Sequence, residues 1–398
     1  DTPLIFVAFP GLLWLDEGSP GIWASARLGY VFGLGFFLAG MYWIAAALFV
    51  DIGSFWWALP FAVLGLPALF ALWPAAALLV TAAGSARLRL APDARLCLFA
   101  VAWSATEWGR GHAFTGLPWN LVGYAWSGGF PGSLFVLQSA AWVGIYGLSF
   151  VTVLAASLPA LFGTPSLLPL SALRRVAPAV AAVALILVPA AAGAVRLHLL
   201  PTVSTATWLR IVQPSIPQTL KWDPGAAEAY FHRLIELSSS PAPHPLAAIL
   251  WPEAAATFLI ERDAVHRNAI AALAPKDGYV IVGALRANPP PGPVTEVWNS
   301  IEAVDREGAI RARYDKSHLV PFGEYIPFGD FLPIRKLSVG AIDMSAGPGP
   351  QTIALPGLSG FAPLVCYEAI FPAAVIDEPH RPAWILNVTN DAWYGRSS

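Results

Sequence analysis

Residues 364–372 read LVCYEAIFP, in which a cysteine closes a short apolar run and is followed at once by Tyr367 and Glu368. An apolar run of this kind bounded by polar residues is a strand signal, which places Cys366 at the carboxyl end of a strand. Loops vary there over a rigid sheet, so such ends often carry functional side chains. A free cysteine is more commonly a small buried hydrophobe than a nucleophile. The choice between the two depends on what else the chain supplies.

Working outward from Cys366, five more stretches have the same strand-like texture: WLRIVQ, AAILWPE, YVIVGAL, NSIEAVD and AWILNVTND. Between them, GAAEAYFHRLIELSS and RDAVHRNAIAALAPK space their apolar residues as helices do. Strands alternating with helices predict a layered α/β domain. Glu253 closes one strand, and Lys316 sits in YDKSHLVPFGEY. A carboxylate within hydrogen-bonding reach serves as base for a thiol, and a lysine favours the thiolate and a developing oxyanion. Glu253, Lys316 and Cys366 on three strand ends therefore suffice for acyl transfer through a thioester.

The amino-terminal half is different. Of 398 residues, 56% are hydrophobic and 12% charged, and the mean hydropathy is +0.59; a soluble chain carries about 25% charged residues. Residues 1–207 hold 14 charged side chains, whereas residues 208–398 hold 34, including all four lysines. A helix needs roughly 20 apolar residues to cross a bilayer. Residues 29–50, 55–80, 140–162 and 177–195 satisfy this, and 96–108 and 3–15 are read as two shorter spans. The expected organisation is a multi-span membrane domain over 1–200 and a catalytic domain over 201–398. One set of alternate loops carries Arg27, Arg87, Arg89, Arg95, Arg174 and Arg175, and the opposite set only Arg110. Arginines of short loops stay cytoplasmic, so the bias predicts that everything after about Leu200 lies outside the cytoplasm. Glu107 and Arg110 read either as interfacial anchors or as the lining of a lipid entry. The net charge of −2 gives no sign of a nucleic-acid partner, and Cys97 and Cys366 form no disulfide framework.

WPE, YDKSHLVPFGEY and CYE resemble the three signature segments of the nitrilase superfamily. RIVQPSIPQTLKWD, HLVPFGEYIPF and NVTNDAWYG, set behind a multi-span half, narrow the resemblance to the bacterial apolipoprotein N-acyltransferases. The resemblance implies a polytopic α-helical membrane domain followed by an α/β nitrilase-like domain, an αββα sandwich. Its members begin with a further span and continue past NDAWYG to a final one, so the sandwich is expected to be C-terminally incomplete here.

The resemblance also implies Glu253, Lys316 and Cys366 as the triad, with Trp222, Asn299, Glu324, Tyr367, Glu368, Asn390, Asp391 and Trp393 as binding or supporting positions. Glu368 follows the nucleophile by two residues, close enough to orient it. The implied activity needs no metal or organic cofactor. It moves an acyl chain from a membrane phospholipid, through a cysteine thioester, to the α-amino group of a diacylglyceryl-modified cysteine on an apolipoprotein. The implied location is the bacterial inner membrane with the catalytic domain on the periplasmic side, and residues 328–344 read either as an arm lying on the bilayer or as an ordinary buried loop. The alternative is a membrane-tethered nitrilase-type amidase that hydrolyses a small amide.

Overall fold

The computed structural model describes residues 2–163, 172–289, 292–329, 331, 336–338 and 342–393. The chain divides into two compact units, one of residues 1–45 and 57–203, the other of residues 46–56 and 204–398.

The first unit is helical. Its elements are α1 (Thr2–Glu17), α2 (Ile22–Met41), α4 (Leu66–Phe70), α5 (Leu72–Leu88), α6 (Pro92–His112), α7 (Ser133–Leu137), α8 (Ala140–Ser157) and α9 (Ala172–Leu199); α3 (Ile52–Phe55) falls in the second unit. Among the described residues, four helical stretches are long and apolar enough to cross a membrane: Ile22–Ala58, Phe61–Leu88, Ala140–Phe162 and Val176–Leu199. The two shorter spans expected from the sequence are helices that fall outside this group. α6 carries Asp93, Arg95, Glu107 and Arg110.

The helices pack through small and aromatic residues. A Cβ on Gly29 of α2 would lie 2.6 Å from the Pro74 carbonyl oxygen of α5, so only glycine permits that approach. Phe9 of α1 meets Trp103 of α6 edge-on at 4.9 Å, within a cluster that includes Leu78 and Val153. Large apolar side chains such as Leu187 and Val188 of α9 point outward, the distribution expected of a surface that faces lipid.

The second unit contains β1 (Trp208–Ile211), α10 (Ala227–Ser238), β2 (Leu246–Leu250), α11 (Ala264–Leu273), β3 (Tyr279–Asn288), β4 (Glu296–Val304), β5 (Ile310–Asp315), β6 (Ile353–Leu355), β7 (Leu358–Val365) and β8 (Trp384–Val388). One sheet has the order β1-β2-β3-β4-β5 and the other β6-β7-β8. α10 and α11 connect parallel neighbours, as parallel pairing requires a crossover. β3, β4 and β5 then pair antiparallel.

Alternation along the strands builds the layers. Ile249, Val280 and Val282 join Phe231 and Leu234 of α10 and Ile270 of α11 in one core. Ala248, Leu250 and Ile281 join Phe361, Val365 and Leu386 of the second sheet in another. The described residues thus form a helix–sheet–sheet stack. Much of 328–344, read as an arm, lies outside the described residues.

Candidate active site

Register brings the polar residues into one row. Beyond the Leu250↔Ile281 pair of β2 and β3, the chain stays alongside β3, where the Ala255 N–H donates to the Gly283 carbonyl at 2.8 Å. Leu285 pairs with Asn299 of β4, and the Lys316 N–H donates to the Asn299 carbonyl at 2.8 Å. Glu253 on the path continuing β2, Asn299 on β4 and Lys316 after β5 therefore come level across the sheet, with β3 between the first two. The fit at Glu253 is tight. Ala254 adopts φ 44°, and a Cβ on Gly283 would lie 2.3 Å from the Pro252 carbonyl oxygen and 2.7 Å from the Glu253 Cα.

Asn299 joins two carboxylates. Its Nδ2 donates to Glu253 Oε1 at 2.8 Å and to Glu324 Oε1 at 3.1 Å. Glu324 also accepts from Lys316 Nζ, at 3.0 Å on Oε1 and 2.9 Å on Oε2, and from the Val320 N–H at 2.8 Å. Lys316 is 1% exposed. Burial disfavours its charge, but Glu324 above all, then Glu253 and the cysteine, more than compensate, and its pKa lies above the ordinary lysine value. The second oxygen of Glu253 accepts from the Asn390 N–H at 3.1 Å.

Cys366 follows β7 directly and takes φ 52°, left-handed for a residue with a side chain. Such a conformation costs on the order of 1–3 kcal/mol and persists where its surroundings enforce it. Glu368 is the enforcing residue. Its Oε2 accepts from the Val365 N–H at 2.8 Å, while Oε1 accepts from Tyr314 Oη (2.7 Å), the Ser317 N–H and Oγ (each 2.8 Å) and the His318 N–H (3.1 Å). One buried carboxylate thereby ties the turn after Cys366 to the turn after Lys316. Burial first, then Glu253, push the thiol pKa up to about 12; Lys316 and a hydrogen bond with Thr389 pull it down, and Glu324 adds a smaller upward push. The resting thiol is protonated at neutral pH and needs a base as it reacts.

Known proteins resemble both halves of the chain. Residues 2–158 match the apolipoprotein N-acyltransferase N-terminal domain, and residues 209–398 match the carbon-nitrogen hydrolase family. Curated apolipoprotein N-acyltransferases of Bradyrhizobium diazoefficiens and Rhodopseudomonas palustris are 40% and 36% identical to this chain. Each alignment covers 100% of this chain and 75% of the relative. That of Rickettsia prowazekii is 36% identical over 100% of this chain and 78% of its own length. The chain belongs to the apolipoprotein N-acyltransferase family. It is an enzyme and a membrane protein of a bacterial family, with the nitrilase-like domain following the apolar helices. Among solved structures, an amidase of the nitrilase superfamily from Nesterenkonia aligns over 43% of this chain and 59% of its own at 14% identity, with a TM-score of 0.29.

Within this apolipoprotein N-acyltransferase-family chain, Glu253, Asn299, Lys316, Glu324, Cys366, Glu368 and Asn390 are brought together. Tyr367 is half-buried and meets Phe371 edge-on at 5.0 Å, beside His318 at 5.7 Å. Asp391 is exposed and accepts from Thr389 Oγ1 at 3.2 Å, one residue removed from the thiol. Trp222 and Trp393 are half-buried and make no hydrogen bond to the cluster among the described residues.

Two residues escaped sequence reasoning. Lys221 is buried and donates to the Glu253 main-chain carbonyl at 2.9 Å, and Gln218 Oε1 accepts from Asn390 Nδ2 at 2.6 Å. The available signal was the position of Lys221, one of only four lysines, directly before Trp222.

Proposed function

We propose that the chain is a phospholipid-dependent N-acyltransferase in which Glu253, Lys316 and Cys366 act as the catalytic triad. The supporting observation is the convergence of Glu253, Lys316 and Glu324 on a strained, half-buried cysteine in a chain of this family.

The first half-reaction acylates the cysteine. Glu253 takes the thiol proton as Sγ attacks the ester carbonyl carbon of a membrane phospholipid. The Lys316 ammonium and the Tyr367 N–H steady the oxyanion. The carbon–oxygen bond to glycerol breaks, and Glu253 returns the proton to the departing lysophospholipid. A proton shuttle at the moment of attack suits a thiol held near 12, because a standing thiolate would be rare. In the second half, the α-amino group of a diacylglyceryl-modified cysteine attacks the thioester carbonyl and an amide forms. The proton lost by nitrogen passes through Glu253 to the departing sulfur. Ion pairing with Glu324 fixes Lys316, and Glu368 holds the Cys366 turn.

The substrates explain why the two halves are joined: both the phospholipid donor and the apolipoprotein acceptor are anchored in the bilayer. The arginine bias of the loops supports a periplasmic site in the inner membrane. A reporter active only outside the cytoplasm should work when fused after Leu200 and fail when fused between Arg174 and Arg175; the reverse pattern contradicts that orientation. The acylation itself is tested by intact mass. Exposure to phospholipid should add one acyl chain, mapped to Cys366; an adduct on Cys97, or none, counts against the proposal.

A further inference from the structure

The charges around Cys366 do not balance with the triad alone. Glu253, Glu324 and Lys316 all act on the thiol. Lys316 and Glu324 lie 2.9 Å apart and neutralise each other. Glu253 remains, so the site carries one negative charge, which passes to the sulfur when Glu253 takes the Cys366 proton and which no cation of the triad offsets.

Lys221 is the cation that does. It lies on the turn over residues 217–223, closed by the Lys221 N–H on the Pro217 carbonyl and the Asp223 N–H on the Leu220 carbonyl, each at 3.1 Å. Its side chain is buried, and Nζ donates to the Glu253 carbonyl at 2.9 Å. Three residues earlier, buried Gln218 accepts from Asn390, whose own N–H holds Glu253 Oε2. The turn thus grips Glu253 from its main chain and, through Asn390, from its carboxylate. Among the described residues no carboxylate lies within ion-pair distance of Lys221. Burying an ammonium against a neutral carbonyl is costly; the compensating charges are Glu253 and, once ionised, Cys366.

We propose that Lys221 is a positioning residue for Cys366 acylation: held on the Glu253 carbonyl, its ammonium is the second cation of the site and offsets the single negative charge that passes from Glu253 to the sulfur as the proton moves. The inference rests on the acyltransfer reading above. Coupling between two titrating groups is reciprocal. The thiolate favours the charge on Lys221, so the charge on Lys221 favours the thiolate. Burial, only partly opposed by Glu253 and Cys366, holds the Lys221 pKa down to about 8, so this assistance is lost just above neutral pH.

The test is the rate at which iodoacetamide alkylates Cys366 as a function of pH, in a Cys97→Ala background and read by intact mass. Lys221→Gln keeps an N–H donor for the Glu253 carbonyl and removes the charge. It should slow alkylation about tenfold near pH 7, displacing the line of log rate against pH by about one unit. The gap to the parent should close as pH rises past about 8, where the parent loses the same charge and its line flattens. Lys221→Arg should keep the parent rate near pH 7 and show no flattening near pH 8. A Lys221→Gln line that coincides with the parent, or lies below it by the same amount at every pH, overturns the proposal. Should Lys221→Gln fail to fold, a Lys221→Arg line that still flattens near pH 8 overturns it instead. If the parent takes no acyl group from phospholipid, the acyltransfer reading fails, while the alkylation lines still decide the role of Lys221.

Discussion

Each unit buries a cluster of charged side chains, and the two clusters use their hydrogen bonds differently. In the helical unit, Glu107 and Arg110 are 4% and 3% exposed on α6. Glu107 Oε1 accepts from the Val122 N–H at 2.8 Å and Trp103 Nε1 at 3.1 Å, and Arg110 Nη1 donates to the Leu117 carbonyl at 2.7 Å. Two peptide groups of the irregular chain after α6 are thereby satisfied, which matters in a segment surrounded by apolar helices. In the nitrilase-like unit, Asn299, Glu253, Lys316 and Glu324 bond mainly to one another, and their charge acts on Cys366. A buried ionisable group is therefore not a functional site by default. Bonds to main chain mark a closure of the fold, and an arrangement of side chains around a nucleophile marks chemistry. Glu107 and Arg110 also line a small cavity with Phe36, Phe37, Trp73 and Trp103.

Substitutions can break this contrast. The largest effect is expected at the nucleophile: Cys366→Ala should reduce the phospholipid-derived acyl adduct below detection, and Cys366→Ser nearly so, because an alcohol is much harder to deprotonate. Cys97→Ala should leave the adduct intact. Next come Glu253→Gln and Lys316→Ala, each expected to slow acylation by about 10²–10⁴-fold in single-turnover measurements while the protein still folds. Wild-type rates in either variant would remove it from the triad.

A steric effect should be smaller. Gly283→Ala drives a methyl group into Pro252 and Glu253, and should cost about 1–3 kcal/mol in stability with a roughly tenfold slower acylation. Unchanged acylation would mean that the strand-end position of Glu253 tolerates displacement. The least effect on chemistry is expected in the membrane cluster. Glu107→Ala leaves the Val122 N–H without its partner and should lower thermal stability by about 1–3 kcal/mol, with the acylation rate per folded molecule unchanged. A folded Glu107→Ala protein that cannot acylate Cys366 would erase the distinction between the two clusters.

Much of this contrast was legible in the sequence, for identifiable reasons. All six expected strands and both helices between them form, because apolar alternation and helical spacing survive into the packed layers. β5 and β6 were not anticipated: IRARYD interleaves three charged residues with the apolar ones, and β6 is only three residues long. Glu253 and Cys366 were visible as polar residues ending apolar runs, and Lys316 by its place in YDKSHLVPFGEY. The joining of two carboxylates by Asn299 depends on the register of β3 with β4 and was not visible locally. Glu368, expected from its position to orient the nucleophile, accepts from the Val365 N–H. Lys221 was hidden because a turn has no periodicity, and nothing local shows that it folds back onto Glu253.

The central claim is that the thioester on Cys366 is delivered to an amine. It is tested by loading the protein with phospholipid and then following the acyl mass on Cys366 with and without a peptide bearing a diacylglyceryl-cysteine amino terminus. The acyl group should persist without peptide and pass to the α-amino group within the assay when peptide is added. Equal loss to water in both arms would contradict the claim and favour an amidase-like hydrolase.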